Sequence, residues 1–186
     1  MGTLIYSAIA SLDGYVADAD GRFDWAEPSD EVHAAVNDLT RPIGTALYGR
    51  RLYEVLVAWE HPEEFVGDSA VMRDYAELWA ATDKVVYSTT LTTPASARTR
   101  IEPTFDPEAV RAMKAADDRP LAVGGAHLAA QALAAGLVDE VHLFLVPEVV
   151  GGGTPVFPGP IRVSLDLIAQ RRFADGTVHL HHRVLL

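Results

Sequence analysis

Short apolar runs alternate with amphipathic segments along most of this chain, and this alternation restricts the fold more than any other feature. The apolar runs are bounded by turn residues and are short enough to be buried strands. They occupy residues 3–10, 45–49, 84–88, 120–124 and 140–146. Strands separated by helices predict an α/β protein whose sheet is mostly parallel.

The segments between these runs have helical periodicity and helix-terminal residues. Ser29 or Asp30 is suited to cap the first helix, and Pro42 marks its end. Val71, Tyr75 and Trp79 share one face of a later segment. The sequence predicts helices over residues 50–60, 69–82, 107–116 and 126–136, in addition to the first one.

The pattern changes after Gly151. A Gly/Pro-rich loop over 151–160 precedes two alternating segments, 162–173 and 177–185, joined by residues 174–176. Alternation of this kind predicts an antiparallel hairpin at one edge of the sheet. We found no internal repeat and no linker, so the sequence predicts a single domain over residues 1–186.

Composition narrows the classes of function. The chain of 186 residues has 26 acidic and 15 basic residues and a formal charge of -11. Such an acidic protein is expected to repel nucleic acid and anionic membranes. The sequence contains no cysteine, which excludes disulfides and thiolate chemistry. With no basic secretory signal at the N-terminus, these features predict a cytoplasmic protein.

Three predicted strands end in residues suited to anions. These ends are Gly49-Arg50-Arg51, Ser88-Thr89-Thr90 and Gly124-Gly125. Carboxyl ends of parallel strands meet at one edge of a sheet, where helix N-termini present unpaired N–H groups. Each motif alone is equally or better explained as a tight turn, a solvated helix face or a local cap. Together they predict a phosphate-binding rim.

Two other phosphate motifs are not matched. Gly124, Gly125 and Ala126 are consecutive, so the spaced G-x-G-x-x-G dinucleotide fingerprint is absent from the sequence. No G-K-[ST] follows the glycines at 151–153, so this loop is not a P-loop.

Five motifs, in this order and at these spacings, resemble the dihydrofolate-reductase-like family. They are SLDGYVA, GRRLYE, KVVYST, VGGAHLAAQAL and GLVDEVHLFLVPEVVGGGTPVF, and they span the chain from about Leu4 to Phe157. The most similar branch is the reductase domain of the bifunctional riboflavin-biosynthesis deaminase-reductase. The resemblance implies a three-layer fold with helices on both faces of a mostly parallel sheet and a C-terminal antiparallel hairpin.

The resemblance also implies NADPH as the cofactor. It places Ala8, Val16 and Ala17 at the nicotinamide. The phosphates would lie against Gly49, Arg50, Arg51 and Ser88, and the pyrophosphate against Gly124, Gly125, Ala126 and Leu128, with Thr154 closing the adjacent loop. Two arginines and a serine near the adenosine ribose favour NADPH over NADH.

The implied activity is reduction of a small heterocyclic or ribosylamino-pyrimidine substrate, similar to that of 5-amino-6-(5-phosphoribosylamino)uracil reductase. Leu52 stands where the family usually has a threonine, which removes one hydroxyl. The lack of cysteine excludes the zinc deaminase half of the bifunctional enzyme. A pteridine or dihydrofolate reductase, or a catalytically silent NADPH-binding protein of the same fold, are the alternatives.

Candidates for substrate contact are fewer. Asp13 is a candidate, although its place beside Gly14 favours a turn-forming role. Trp25 could wall a pocket or anchor a loop, and Tyr53 could stack near the cofactor or belong to the core. The sequence identifies no catalytic acid or base. His179, His181 and His182 are interpreted as the polar face of an edge strand, and no metal is predicted. The family often forms homodimers, so a homodimer is expected.

Overall fold

The computed structural model describes residues 1–185, which form one large sheet and one small sheet. The strands are β1 (Leu4–Ser11), β2 (Tyr15–Ala17), β3 (Thr45–Gly49), β4 (Asp83–Tyr87), β5 (Thr99–Glu102), β6 (Leu121–Gly124), β7 (Glu140–Val146), β8 (Thr154–Pro155), β9 (Ser164–Arg172) and β10 (Val178–Leu185). The eight-stranded sheet has the order β5-β4-β3-β6-β1-β7-β10-β9, and β2 pairs with β8 in the small sheet.

Every neighbouring pair from β5 through β7 is parallel. The β10 strand then runs antiparallel to β7, and β9 runs antiparallel to β10. The predicted α/β class, the mostly parallel sheet and the C-terminal hairpin are therefore confirmed.

Five helices connect the strands: α1 (Asp30–Thr40), α2 (Arg50–Leu56), α3 (Ala70–Ala81), α4 (Pro107–Ala116) and α5 (Ala126–Ala134). Side chains cap three of them. The Oγ atoms of Ser29 and Ser69 accept bonds from the first turns of α1 and α3, and Asp106 does the same for α4. These caps satisfy N–H groups that have no partner within a helix. The helices α2 and α5 instead begin after glycine.

Alternation along the strands separates two packed layers of side chains. Leu4 and Tyr6 of β1 belong to a core with Leu128 and Leu133 of α5 and Val110 of α4. On the opposite face, Val32 of α1 packs with Phe144 and Phe173, and Ile9 joins that cluster. A third cluster joins Tyr53, Trp79 and Val86. Helices thus cover both faces of the sheet, as expected for a three-layer fold.

The structure differs from the sequence-based expectation in three places. The helix expected over 50–60 ends at Leu56 and continues as a 3-10 turn, Val57–Glu60, because β-branched Val55 and Val57 weaken it. The edge strand β5 was not predicted, because its four residues contain a single apolar side chain, Ile101, which is too little to establish a periodic pattern. The β2–β8 pair is too short to leave a periodic signal.

Within residues 1–185, none of the helices combines the length and apolar character needed to cross a bilayer.

Candidate cofactor site

The carboxyl ends of β4, β3 and β6 lie side by side, because these strands are neighbours in the sheet. The β3 strand ends at Gly49 and β6 ends at Gly124. Gly124 pairs with Tyr48, the residue before Gly49, so the two strands end almost level with each other. The Ser88 to Thr90 segment follows β4. The three segments that the sequence singled out are thus brought to one edge of the sheet.

Two helix N-termini meet at this edge. Gly49 is the N-cap of α2 and Gly125 is the N-cap of α5, and neither cap has a side-chain hydrogen bond. A Cβ built on Gly125 would stand 3.7 Å from the Gly49 backbone nitrogen. First-turn N–H groups without caps carry the positive end of the helix dipole. The two helix N-termini therefore lie close together at this edge, and such ends favour negative charge.

The two glycines of β6 and α5 have different reasons to be glycine. A Cβ on Gly124 would lie 2.7 Å from Leu52 Cδ2 and 2.9 Å from Tyr48 Cδ1, so close packing excludes a side chain there. Gly125 has φ +92°, a conformation that L side chains rarely adopt. Gly124 therefore serves the packing of α2 on the sheet, and Gly125 presents bare backbone.

The two arginines at the start of α2 are engaged differently. Arg50 donates through Nε to Glu54 at 2.6 Å and through Nη1 to the Thr90 hydroxyl. Ser88 Oγ accepts from Leu91 N at 3.0 Å, which shapes the same loop. Within residues 1–185, the Arg51 guanidinium makes no hydrogen bond or ion pair, and the residue is exposed. Arg51 is the cation at this rim whose charge is not already matched by a carboxylate.

The small sheet places a loop beside the carboxyl end of β1. Ala17 pairs with Thr154 in the β2–β8 register, and Val16 lies between Ala17 and Tyr15. A side chain on Gly153 would collide with the Ala17 carbonyl oxygen. The structure thus brings together Ala17 and Thr154, which are far apart in sequence and were both assigned to the cofactor.

Asp13 anchors the glycine loop to the β1–β2 turn. Its carboxylate accepts bonds from Val150 N at 3.2 Å and Gly151 N at 2.8 Å. A side-chain hydrogen bond from Ser11, together with these backbone donors, lowers the pKa of Asp13. Asp13 is thus ionised at neutral pH, which suits an anchor and not a proton donor.

Trp25 and Tyr53 lie in different surroundings. Trp25 lies in a 3-10 turn, Asp24–Ala26, and its Nε1 donates to the Arg22 carbonyl at 3.2 Å. Tyr53 is only 1% exposed, and its hydroxyl accepts a bond from Ala95 N at 2.9 Å. This placement favours a packing role for Tyr53 over substrate contact.

Three other proposed cofactor residues lie on β1 and in the first turn of α5. Ala8 is half-buried on β1, whereas Ala126 and Leu128 are buried on α5. The Cβ of Leu128 would stand 3.8 Å from a Cβ on Gly49. Ala126 and Leu128 can therefore present backbone to a ligand, while their side chains pack α5 on the sheet.

The structure also shows apolar side chains that the sequence analysis did not assign to the site. Leu12, which precedes Asp13 in the sequence, is 63% exposed. Val149, which precedes the loop segment held by Asp13, is 67% exposed. The Leu12 N–H donates to the Glu148 carbonyl at 2.7 Å, which joins the two segments. Sequence alone cannot separate such residues from core residues, because both are simply apolar.

A strand-end edge with paired helix N-termini, an unmatched arginine and an adjoining loop is typical of a nucleotide-binding α/β protein. The chain belongs to the family described as the RibD C-terminal domain, whose model matches residues 2–179. It is 26% identical over 178 residues to the uncharacterized protein YyaP of Bacillus subtilis, and the match covers 95% of this chain and 92% of YyaP.

Solved structures share the fold. A Corynebacterium diphtheriae protein described as pyrimidine reductase-like superposes with a TM-score of 0.71 at 14% identity, covering 100% of this chain and 92% of that chain. A Thermotoga maritima diaminohydroxyphosphoribosylaminopyrimidine deaminase/5-amino-6-(5-phosphoribosylamino)uracil reductase gives 0.69 at 16% identity, covering 99% of this chain and 57% of that chain.

Proposed function

We propose that this protein is an NADPH-dependent reductase of a small heterocyclic or ribosylamino-pyrimidine substrate. The observation that carries the proposal is the contact between the uncapped N-termini of α2 and α5, at Gly49 and Gly125, beside the unmatched charge of Arg51. Membership of the RibD C-terminal domain family supports the same activity.

The residues of the edge fit a phosphorylated dinucleotide. The pyrophosphate would be held by the backbone at Gly124, Gly125 and the first turn of α5. Arg51 would bind the adenosine 2'-phosphate, and Arg50 and Ser88 would complete that rim. A guanidinium is a good phosphate ligand because its N–H groups match two phosphate oxygens. The backbone N–H groups and the guanidinium groups act at short range, where their attraction outweighs the screened repulsion from more distant carboxylates of this acidic chain.

The remaining residues would orient the reacting ring. Ala8, Val16 and Ala17 are small or modest in size and would let a flat ring approach β1 and β2. Thr154 lies opposite Ala17 in the small sheet and would close this side. When bound, NADPH supplies the hydride, so the protein contributes orientation and exclusion of water.

The substrate would lie between this ring and the Asp13-anchored loop. Leu12, Val149 and Trp25 would supply apolar surface, which suits a flat heterocycle. The ribosylamino-pyrimidine assignment rests on the uracil reductase activity in the description of the structurally similar Thermotoga maritima protein.

The test begins with a titration of the purified protein with NADPH and, separately, with NADH. We expect saturable binding that prefers NADPH, and Arg51→Ala should remove most of that preference. The matched control is Arg172→Ala, which removes one exposed arginine from the distant edge strand β9. Absence of saturable binding by the folded protein would overturn the proposal.

Turnover is the second step. NADPH oxidation in the presence of a ribosylamino-pyrimidine is the expected result. Oxidation with pterins or dihydrofolate alone would replace the substrate class, and tight binding without oxidation by any of these compounds would identify a silent NADPH-binding protein.

A further inference from the structure

A second group of chemically active side chains lies on the sheet away from the cofactor edge. In the β7–β10 register His142 pairs with His181, Phe144 with His179, and Glu140 with Arg183. Directly paired residues project from the same face of a sheet. Glu140, His142, His179 and His181 therefore share one face.

The histidine pattern of β10 alone does not reveal this group. His179 and His181 alternate on one strand, but Glu140 and His142 come from β7, far earlier in the chain. No metal was predicted, because no carboxylate or third ligand stands at a recognisable spacing from these histidines in the sequence. Strand pairing, which short-range spacing does not encode, supplies the carboxylate.

Three donor atoms converge in this group. The Oε2 atom of Glu140 lies 2.9 Å from His181 Nε2 and 3.4 Å from His142 Nε2. The ligand atoms of the three residues all lie within 4.8 Å of one another. Tetrahedral zinc with bonds of about 2.1 Å separates its donors by about 3.4 Å. The His142 and His181 rings are stacked, with centroids 3.9 Å apart and planes 20° from parallel, so metal binding would require one ring to turn out of the stack and aim its nitrogen at the ion.

Burial and neighbours also suit a metal. The His142 side chain is 7% exposed, whereas Glu140 is 32% and His181 is 21% exposed, which leaves an entry from solvent on one side. His179 Nε2 lies 3.0 Å from His142 Nδ1. Metal-bound histidines commonly use their second nitrogen in such a bond, which fixes the ring orientation.

We propose that Glu140, His142 and His181 form a binding site for zinc or a similar divalent transition metal. Two imidazoles and a carboxylate are a common donor set for zinc, with a fourth position for water. Glu140 and His142 lie in the first half of β7, and His181 lies opposite His142 on β10, whereas the cofactor edge is at the carboxyl ends of the parallel strands. The site would therefore tie β10 to β7 and stabilise the C-terminal hairpin, independently of hydride transfer.

The experiment uses the full chain after treatment with a chelator. Zn²⁺ is titrated by calorimetry, and Co²⁺ is titrated by visible absorption, which reports tetrahedral coordination. We expect one equivalent of either metal to bind, and the melting temperature to rise with free Zn²⁺ concentration, because the ligand binds the folded state. Failure of the folded protein to bind either metal would overturn the proposal.

Variants locate the site. Glu140→Gln and His181→Gln should each abolish measurable binding, and His179→Gln should weaken it by about 10- to 100-fold through loss of the outer contact. His182→Gln is the matched control, because His182 is next in the strand and pairs with Val141 instead. Binding that is unchanged in the first two variants, or lost equally in the control, would refute the assignment. Circular dichroism verifies folding of each variant.

Discussion

Gly125 lies against Gly49, so that a Cβ on Gly125 would stand 3.7 Å from the Gly49 nitrogen. Each glycine begins a helix, and the two strands that precede them are neighbours in the sheet. The positive ends of two helices therefore reinforce each other at one point. A local positive potential of this kind can attract an anion even on a strongly acidic chain.

Gly125→Ala should lower both stability and NADPH affinity. The φ of +92° strains any L side chain, at a cost of about 1–3 kcal/mol. Relief of that strain would move the first turn of α5 away from the anion. Urea unfolding and NADPH titration measure the two effects. Gly21→Ala is the control, since Gly21 has φ +79° in a loop and no close neighbour. An unchanged NADPH affinity in Gly125→Ala would contradict the placement of the pyrophosphate.

Tyr53→Phe should affect folding and leave the cofactor site unchanged. Removal of the hydroxyl loses the bonds to Ala95 N and to Ser96 Oγ. The expected loss of stability is about 1–3 kcal/mol, because the partners are left partly unsatisfied. The KM for substrate should stay constant once turnover is established. A raised KM at unchanged stability would instead support substrate contact by Tyr53.

Glu54→Gln should strengthen NADPH binding. Glu54 holds the Arg50 guanidinium at 2.6 Å and places a negative charge close to the proposed phosphates. A neutral amide would hold the Arg50 guanidinium more weakly, which leaves it freer to bind phosphate. It would also remove the repulsion between the Glu54 carboxylate and the phosphates. We expect the Kd for NADPH to fall several-fold. This corresponds to a gain in binding free energy of roughly 1 kcal/mol at most, because both groups are exposed. Glu77→Gln on α3 makes the same charge change at another exposed position. An equal effect in both variants would show a general charge effect.

The sequence was most informative where local rules govern structure. The α4 helix has the expected bounds, since Pro107 and the Asp106 cap fix its start. The β7 strand also has its expected bounds, because it is a central, apolar strand. The three glycine, arginine and hydroxyl segments could be assigned to one edge, because parallel strands align their carboxyl ends.

Long-range pairing explains what could not be predicted. A tyrosine such as Tyr53 can belong to a core or line a pocket, and the sequence does not separate the two roles. Only its packing against Trp79 and Val86 identifies Tyr53 as a core residue. The approach of Glu140 to His181 depends on the register between β7 and β10. Neither relationship leaves a spacing signal in a single sequence.

Asp74 should make the α1–α3 contact sensitive to acid. Its carboxylate accepts bonds from Arg41 Nη1 and Nη2 at 3.1 and 2.9 Å and from Asn37 Nδ2 at 2.8 Å. The hydrogen bonds from Arg41, and then that from Asn37, lower the pKa of Asp74. A carboxyl whose pKa is lower in the folded state stabilises the fold above its unfolded pKa of about 4, and this contribution is lost as the pH falls through the lowered value. The stability gap between the wild type and Asp74→Asn should therefore be largest near neutral pH and shrink below about pH 4. Urea unfolding at a series of pH values measures it.

Asp38→Asn is the control, because the Asp38 carboxylate is 81% exposed and 3.8 Å from Arg41. A gap for Asp74→Asn that did not change with pH would show that the bidentate pair contributes nothing as an ion pair.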